Sequence, residues 1–158
     1  MDIKAQNITV VNDTLKQIKN DKILSESIGK SVADSKVYSD FYFRTFEMPK
    51  FEDIGPAKVK VTKNSSFNAA RSYNGKVAVL NFASATNPGG GVTKGSNAQE
   101  ECLCRCSTLY PVLSDSRFAI PYYGVHKRDG DALHNNDTIY SPNIYIIKSD
   151  NYTNLFRS

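Results

Sequence analysis

Two adjacent carboxylates, Glu100 and Glu101, follow three consecutive glycines, Gly89, Gly90 and Gly91, in the stretch VLNFASATNPGGGVTKGSNAQEECLCRCSTLY. Neighbouring residues on a helix point about 100° apart, so such a pair reaches two parts of one ligand. Shielded from water, one carboxyl has its pKa raised and keeps its proton near neutrality while the other stays ionised. The protonated member is equipped as a general acid toward a glycosidic oxygen, and the ionised member grips sugar hydroxyls. The plainer alternative is that two acidic residues in a first helical turn complement the helix dipole.

The glycines extend this reading. They adopt positive φ at no steric cost, let backbone approach a ligand closely, and offer N–H groups as donors beside a helix start that favours anions. The loop therefore reads either as a nucleotide or phosphate site or as a glycine-rich turn between strand and helix. The spacing fits neither G-x-x-x-x-G-K-[ST] nor G-x-G-x-x-G, which argues against an NTPase or a dinucleotide dehydrogenase. Lys94, inside the spacer, either approaches phosphates or stays exposed.

The elements that must carry this loop follow from apolar periodicity. KVAVLNFAS, 76–84, is apolar almost without alternation, which predicts a central strand covered on both faces. AKVKVTK alternates Val59 and Val61 against Lys58, Lys60 and Lys63, predicting a half-exposed strand. Between them NSSFNAARSYNG predicts a short capped helix closed by Gly75. A helix is expected from Gln99 to about Tyr110, stopped by Pro111. RFAIPYYGVHKRDG and TIYSPNIYIIKSD read as further β-rich runs broken at Pro121 and Pro142. Toward the N-terminus, NDTLKQIKNDKIL predicts an amphipathic helix capped by Asn12 or Asp13. SESIGKSVADSK, broken at Gly29, reads as loop or short helix, and VYSDFYFRTFEMPKF as an extended, aromatic surface segment. Strand, helix, buried strand, helix is an α/β rhythm.

Composition sets outer bounds. The chain has 158 residues, one domain's worth, with 40% hydrophobic and 23% charged residues. The net charge of +4 is scattered, which suits a small anionic ligand and argues against duplex nucleic acid as partner. The sequence contains no apolar run of about 18 residues, so no membrane span is expected. A polar N-terminus, MDIKAQNITVVNDTLKQIKN, makes the cytoplasm the expected compartment. Cys102, Cys104 and Cys106 make a poor metal site if the segment is helical, because side chains two residues apart point about 200° apart, and they read as small, partly buried helix residues. Tyr122 and Tyr123 either stack on a base or pack in a core; His126 reads as a surface or hydrogen-bonded histidine.

NPGGG, the spacer VTKGSNA and QEE together resemble the GGG–spacer–QEE signature of microbial-type poly(ADP-ribose) glycohydrolases, whose catalytic domain is a macrodomain. VAVLNFASATNPGGG, QEECLCRCSTLY, IYSP and the lead-in VTKNSSFNAAR are similar to the words of that family from about Val59 onward. The resemblance implies a three-layer α/β/α fold with a mixed sheet, divided into an N-terminal helical and extended accessory region, 1–57, and a signature-bearing part, 58–158. It implies Glu101 as general acid and then base, and Glu100 as the residue holding ribose hydroxyls. Asn87 would contact the distal ribose, Gly89 to Gly91 would line ribose and diphosphate, and Gln99 would steady the loop. The ligand implied is ADP-ribose, its polymer or an ADP-ribosylated protein, with no metal and no cofactor.

Members of that family continue for roughly another hundred residues past IYSP, more than a small domain half. The present chain therefore reads as an N-terminal fragment, a truncated product or one half of a split assembly, with its sheet incomplete. Self-association or a complementing chain is the expected remedy for the apolar faces left open. Three function classes stay open: a hydrolase, an ADP-ribose reader that does not turn over, and an inactive remnant. The paired glutamates favour the first.

Overall fold

A computed structural model describes residues 2–47, 55–130 and 134–149. The first helix, α1 (Ile3–Asn20), starts well before the expected cap at 12–13, because Asp2 accepts the Lys4 N–H at 3.3 Å. Its buried stripe is Asn7, Val10, Val11, Thr14 and Ile18, spaced for one helical face. Two of the five are polar, so a count of apolar residues places the helix too late. Asp21 then ends α1 and caps α2 (Lys22–Asp34), accepting the Ile23 and Leu24 N–H groups at 2.8 and 3.1 Å. The single helix expected across 12–24 is thus two helices, and the second runs straight through Gly29.

After α2 the chain forms β1 (Lys36–Tyr38), which pairs antiparallel with β2 (Thr138–Tyr140) in the register Val37 opposite Ile139. The aromatic segment expected to be extended turns helical at α3 (Asp40–Thr45), capped by Ser39, with Tyr42 stacked on Phe46 at 5.2 Å. Met48, Pro49, Lys50 and Phe51 from that segment lie outside the described residues.

The two expected strands are the clearest departures. Residues 57–62 and 76–84 make no strand ladder among the described residues. Val59 is 86%, Val61 92% and Phe82 73% exposed. The apolar pattern asks for cover, and no described element supplies it. Between them α4 (Ser66–Ala70) forms as expected on its Ser65 cap, and Gly75 follows at φ +93°.

Beyond the glycine loop come α5 (Gln99–Cys106), α6 (Leu109–Leu113), α7 (Ser116–Phe118), a π-helical turn (Ala119–Gly124) and α8 (Val125–Asp129). Pro111 does not stop α5. It sits in the first turn of α6, where no intrahelical donor is required of it. The run expected to be β-rich, 117–130, is helical instead. Asp115 caps it through the Arg117 N–H at 2.9 Å, and Phe118, Tyr122 and Tyr123 pack with Val32 and Val112. A second apolar cluster joins α1, α4, α5 and α6 through Val11, Phe67, Leu103, Cys104 and Leu109. Pro142 does break its run: past β2, only a single bridge from Ile146 to Ser107 remains among the described residues.

The C-terminal carbonyls of α5 are orphans that the fold must satisfy. Arg105 O accepts the Thr14 hydroxyl at 2.6 Å, and Cys106 O accepts the Ile147 and Lys148 N–H groups at 2.7 and 3.0 Å. Thr14→Val keeps the shape and removes the donor, so it should cost about 1–2 kcal/mol. Urea unfolding of the two proteins measures this. An unchanged midpoint would mean that the carbonyl is not held by α1.

Candidate active site

The loop after residue 84 is built from turns. Asn87 O accepts the Gly90 N–H at 2.9 Å and Gly89 O the Val92 N–H at 3.1 Å. Gly89 and Gly90 stand at φ +68° and +59°, a left-handed pair that side chains resist. Space forbids a side chain as well. A Cβ at Gly89 would lie 2.6 Å from the Tyr110 ring, and one at Gly91 would run into Ser96. At Gly90 it would lie 2.5 Å from Glu101 Oε1 and 3.1 Å from Glu100 Oε2. Both carboxylates therefore close on Gly90, where a side chain would collide with them.

Three successive residues at the start of α5 perform three different holding tasks. Gln99 behaves as a strand neighbour: its Oε1 accepts the Phe82 N–H at 2.8 Å and its Nε2 donates to Leu80 O at 2.7 Å. It thereby makes both main-chain bonds that a β-ladder would make with 80–82, and its Nε2 also reaches Ser66 Oγ at 3.2 Å. Glu100 accepts the Ser84 N–H at 2.7 Å on Oε2 and the Asn81 amide at 3.5 Å on Oε1. Glu101 turns the other way: Oε1 accepts the Gly91 N–H at 2.9 Å and Oε2 the Ala98 N–H at 3.1 Å. Ala98 has no side-chain acceptor to return, so Glu101 alone closes the helix start.

Glu100 is 3% and Glu101 7% exposed. Burial raises the Glu100 pKa above the usual carboxylate range, and the neighbouring Glu101 charge pushes the same way. The Ser84, Asn81 and Gly89 donors oppose that rise. The glycine N–H groups expected to be free for a ligand are engaged within the chain: Gly89 with Glu100, Gly90 with Asn87 O, Gly91 with Glu101. The triplet serves close approach to the carboxylates.

Not every expected residue gathers here. The Asn87 side chain is exposed and donates to Thr86 Oγ1 at 3.1 Å, away from both glutamates. Lys94 is exposed in a 3-10 turn, Val92–Lys94. Tyr122 and Tyr123 are buried in the cluster with Val32, Val112 and Phe118; His126 is buried too, with Nε2 3.4 Å from Asp137 Oδ2. Cys104 and Cys106 are buried in α5, and burial pushes the Cys104 thiol well up. A surface groove lined by Ile23, Ser27, Ile144 and Ile146 lies along α2, away from the carboxylates.

Sequence reasoning passed over Asn81, Ser84, Asn7 and Arg105. The first two are the polar residues inside an otherwise apolar run, which was the available signal. Asn7 donates to Gly95 O at 2.9 Å, and Gly95, at φ +79°, presses so closely on α1 that a Cβ would meet Lys4 O at 2.5 Å. The helix assigned to an accessory region thus holds the loop directly.

The sequence matches the family described as microbial-type PARG, catalytic domain, over residues 5–149. The crystal structure of poly(ADP-ribose) glycohydrolase (PARG) from Thermomonospora curvata matches with a TM-score of 0.77 and 27% identity, over 92% of this chain and 58% of that one. The same enzyme bound to the inhibitor ADP-HPD matches at 0.74 and 27%, over 92% and 56%. The fold is accordingly the α/β, macrodomain-like fold of those structures, and the chain spans a little more than half their length. No curated protein matches.

Proposed function

We propose a function from a fixed premise: the chain belongs to the microbial-type PARG catalytic-domain family. The reading is hydrolysis of the ribose–ribose O-glycosidic bond of poly(ADP-ribose), with Glu101 as acid and then base. The observation that carries it is the closure of two buried carboxylates on Gly90. A sugar laid against that glycine meets both groups with no side chain between.

In the first step the anomeric C–O bond breaks, and its electron pair leaves on the bridging oxygen, which takes the Glu101 proton. The ring oxygen shares the positive charge of the resulting oxocarbenium-like carbon. Water then adds to that carbon and gives a proton to the Glu101 carboxylate, so one water is consumed and the acid is restored. Glu100 holds ribose hydroxyls, Gln99 steadies 80–82, Gly89 to Gly91 admit the ribose and diphosphate, and Asn87 turns toward the distal ribose. The relative's complex with ADP-HPD supports an ADP-bearing ligand.

A second assignment, Glu100 as the acid, is favoured by geometry: both Glu101 oxygens already accept backbone N–H groups, and burial raises the Glu100 pKa. Release of ADP-ribose from the polymer, with each glutamate replaced in turn, tests both. Binding of ADP-ribose without turnover would make the chain a reader.

The open segments 57–62 and 76–84 bear on partners. They carry exposed Val59, Val61, Leu80 and Phe82. We assign these segments to contact with a second copy or a complementing chain. Size-exclusion chromatography with light scattering should give a mass above the 17.6 kDa of one chain. A well-behaved monomer at high concentration overturns the assignment. The free thiols Cys102, Cys104 and Cys106 support a reducing compartment such as the cytoplasm. Among the described residues no helix is long and apolar enough to cross a membrane.

A further inference from the structure

Arg105 is 0% exposed, one helical turn beyond Glu101 on the same face of α5. A buried guanidinium is costly to desolvate, and an apolar side chain would fill the same space more cheaply. The contacts of its fork say what it holds. Nη1 donates to Ser96 O at 2.6 Å and Nη2 to Asn97 Oδ1 at 2.7 Å, with Cys102 Sγ at 3.1 Å.

Ser96 and Asn97 lie within the segment between the two donors of Glu101, Gly91 and Ala98. Ser96 N–H donates to Gly91 O at 3.2 Å, and Gly91 N–H donates to Glu101 Oε1. Ala98, directly after Asn97, donates to Glu101 Oε2. The bonds close a ring from Glu101 through Gly91, Ser96 and Arg105 back along one turn of α5. A planar fork fixes two acceptors in angle as well as distance, which a lysine or an apolar residue does not.

We infer that Arg105 is a positioning residue for Glu101, its guanidinium fixing 96–98 so that the Gly91 and Ala98 N–H groups stay aimed at the carboxylate. The kinetic consequence rests on the hydrolase reading; the geometric consequence does not.

Two variants separate the possibilities. Arg105→Lys keeps the charge and loses the fork. Asn97→Ala removes one acceptor from an exposed residue and leaves the core untouched. In both, amide hydrogen exchange at Gly91 and Ala98 should quicken, by about tenfold in Asn97→Ala, while the amides of Val10 and Val11 in α1 keep their parent rates. On poly(ADP-ribose), kcat should fall about fivefold in Asn97→Ala and about 50-fold in Arg105→Lys, with KM within about twofold. Parent-like exchange at Gly91 and Ala98 in both variants overturns the inference. So does a uniform rise across all amides, which marks a general support of the core. If the parent protein shows no turnover, the hydrolase reading fails and the exchange rates still decide the role of Arg105.

Discussion

Glu101→Gln is expected to slow release of ADP-ribose from poly(ADP-ribose) about 10³-fold, inside the range that a positioned general acid contributes. That is about 4 kcal/mol on the barrier. The substitution keeps the shape of the side chain and takes away the transferable proton. It also puts an NH₂ where one carboxylate oxygen accepts a backbone N–H, so either the Gly91 or the Ala98 donor loses its acceptor. Melting temperature therefore has to be read beside the rate. A modest fall in stability with KM near the parent value and kcat down by three orders of magnitude assigns the proton to Glu101. Equal rates in parent and variant remove the assignment.

Glu100→Gln discriminates between the two glutamates. Asn81 Oδ1 is buried and accepts nothing among the described residues, while its amide nitrogen lies 3.5 Å from Glu100. With the Asn81 amide turned over, a protonated Glu100 or a glutamine would donate to that oxygen. Glu100→Gln should therefore fold well, raise KM more than it lowers kcat, and lose less than Glu101→Gln; the reverse order would give the acid role to Glu100. Stability carries a second signature. Because burial raises the Glu100 pKa, the folded protein holds that proton more tightly than the unfolded chain. The resulting penalty is absent below the ordinary carboxylate pKa, grows as pH rises from there, and is complete above the raised one. Glu100→Gln should abolish that part of the pH dependence of unfolding.

The site was legible in the sequence to the extent that it is local. Gln99, Glu100, Glu101 and the glycines lie on one short stretch, and their types prescribe a tight loop against a helix start. What was not legible is what grips that stretch from afar. Asn7 and Thr14 sit on the buried stripe of α1 as polar residues, and only the positions of Gly95 O and Arg105 O explain them. The run 117–130 misleads in the opposite direction. Its aromatic and β-branched residues favour strand, yet Asp115 caps a helical turn, and Tyr122 and Tyr123 are buried from that geometry. For 76–84 the apolar pattern asks for neighbours on both faces. Pattern alone does not say who provides them, and within the described residues only side chains such as Gln99 stand in for a strand.

Gly90→Ala should cost nearly as much activity as loss of an acid–base group, though it removes no functional atom. A left-handed alanine costs about 1–2 kcal/mol by itself. The added methyl group must also displace Glu101 Oε1, which would lie 2.5 Å away, and crowd Glu100 Oε2 at 3.1 Å. Neither carboxylate retreats freely, because Gly91 and Ala98 hold one and Ser84 holds the other. A shift of about 1 Å in a reacting group is enough to lose about 10² in rate, so kcat should fall by that factor or more. Gly29→Ala is the matched control. Gly29 lies inside α2, and an added methyl group there would meet no atom within 4 Å. At that position alanine should stabilise the helix by about 0.5–1 kcal/mol and leave the rate alone. If Gly90→Ala turns over polymer at the parent rate, the close packing of the glycine on the two carboxylates does not position the reacting groups, and the reaction centre lies elsewhere.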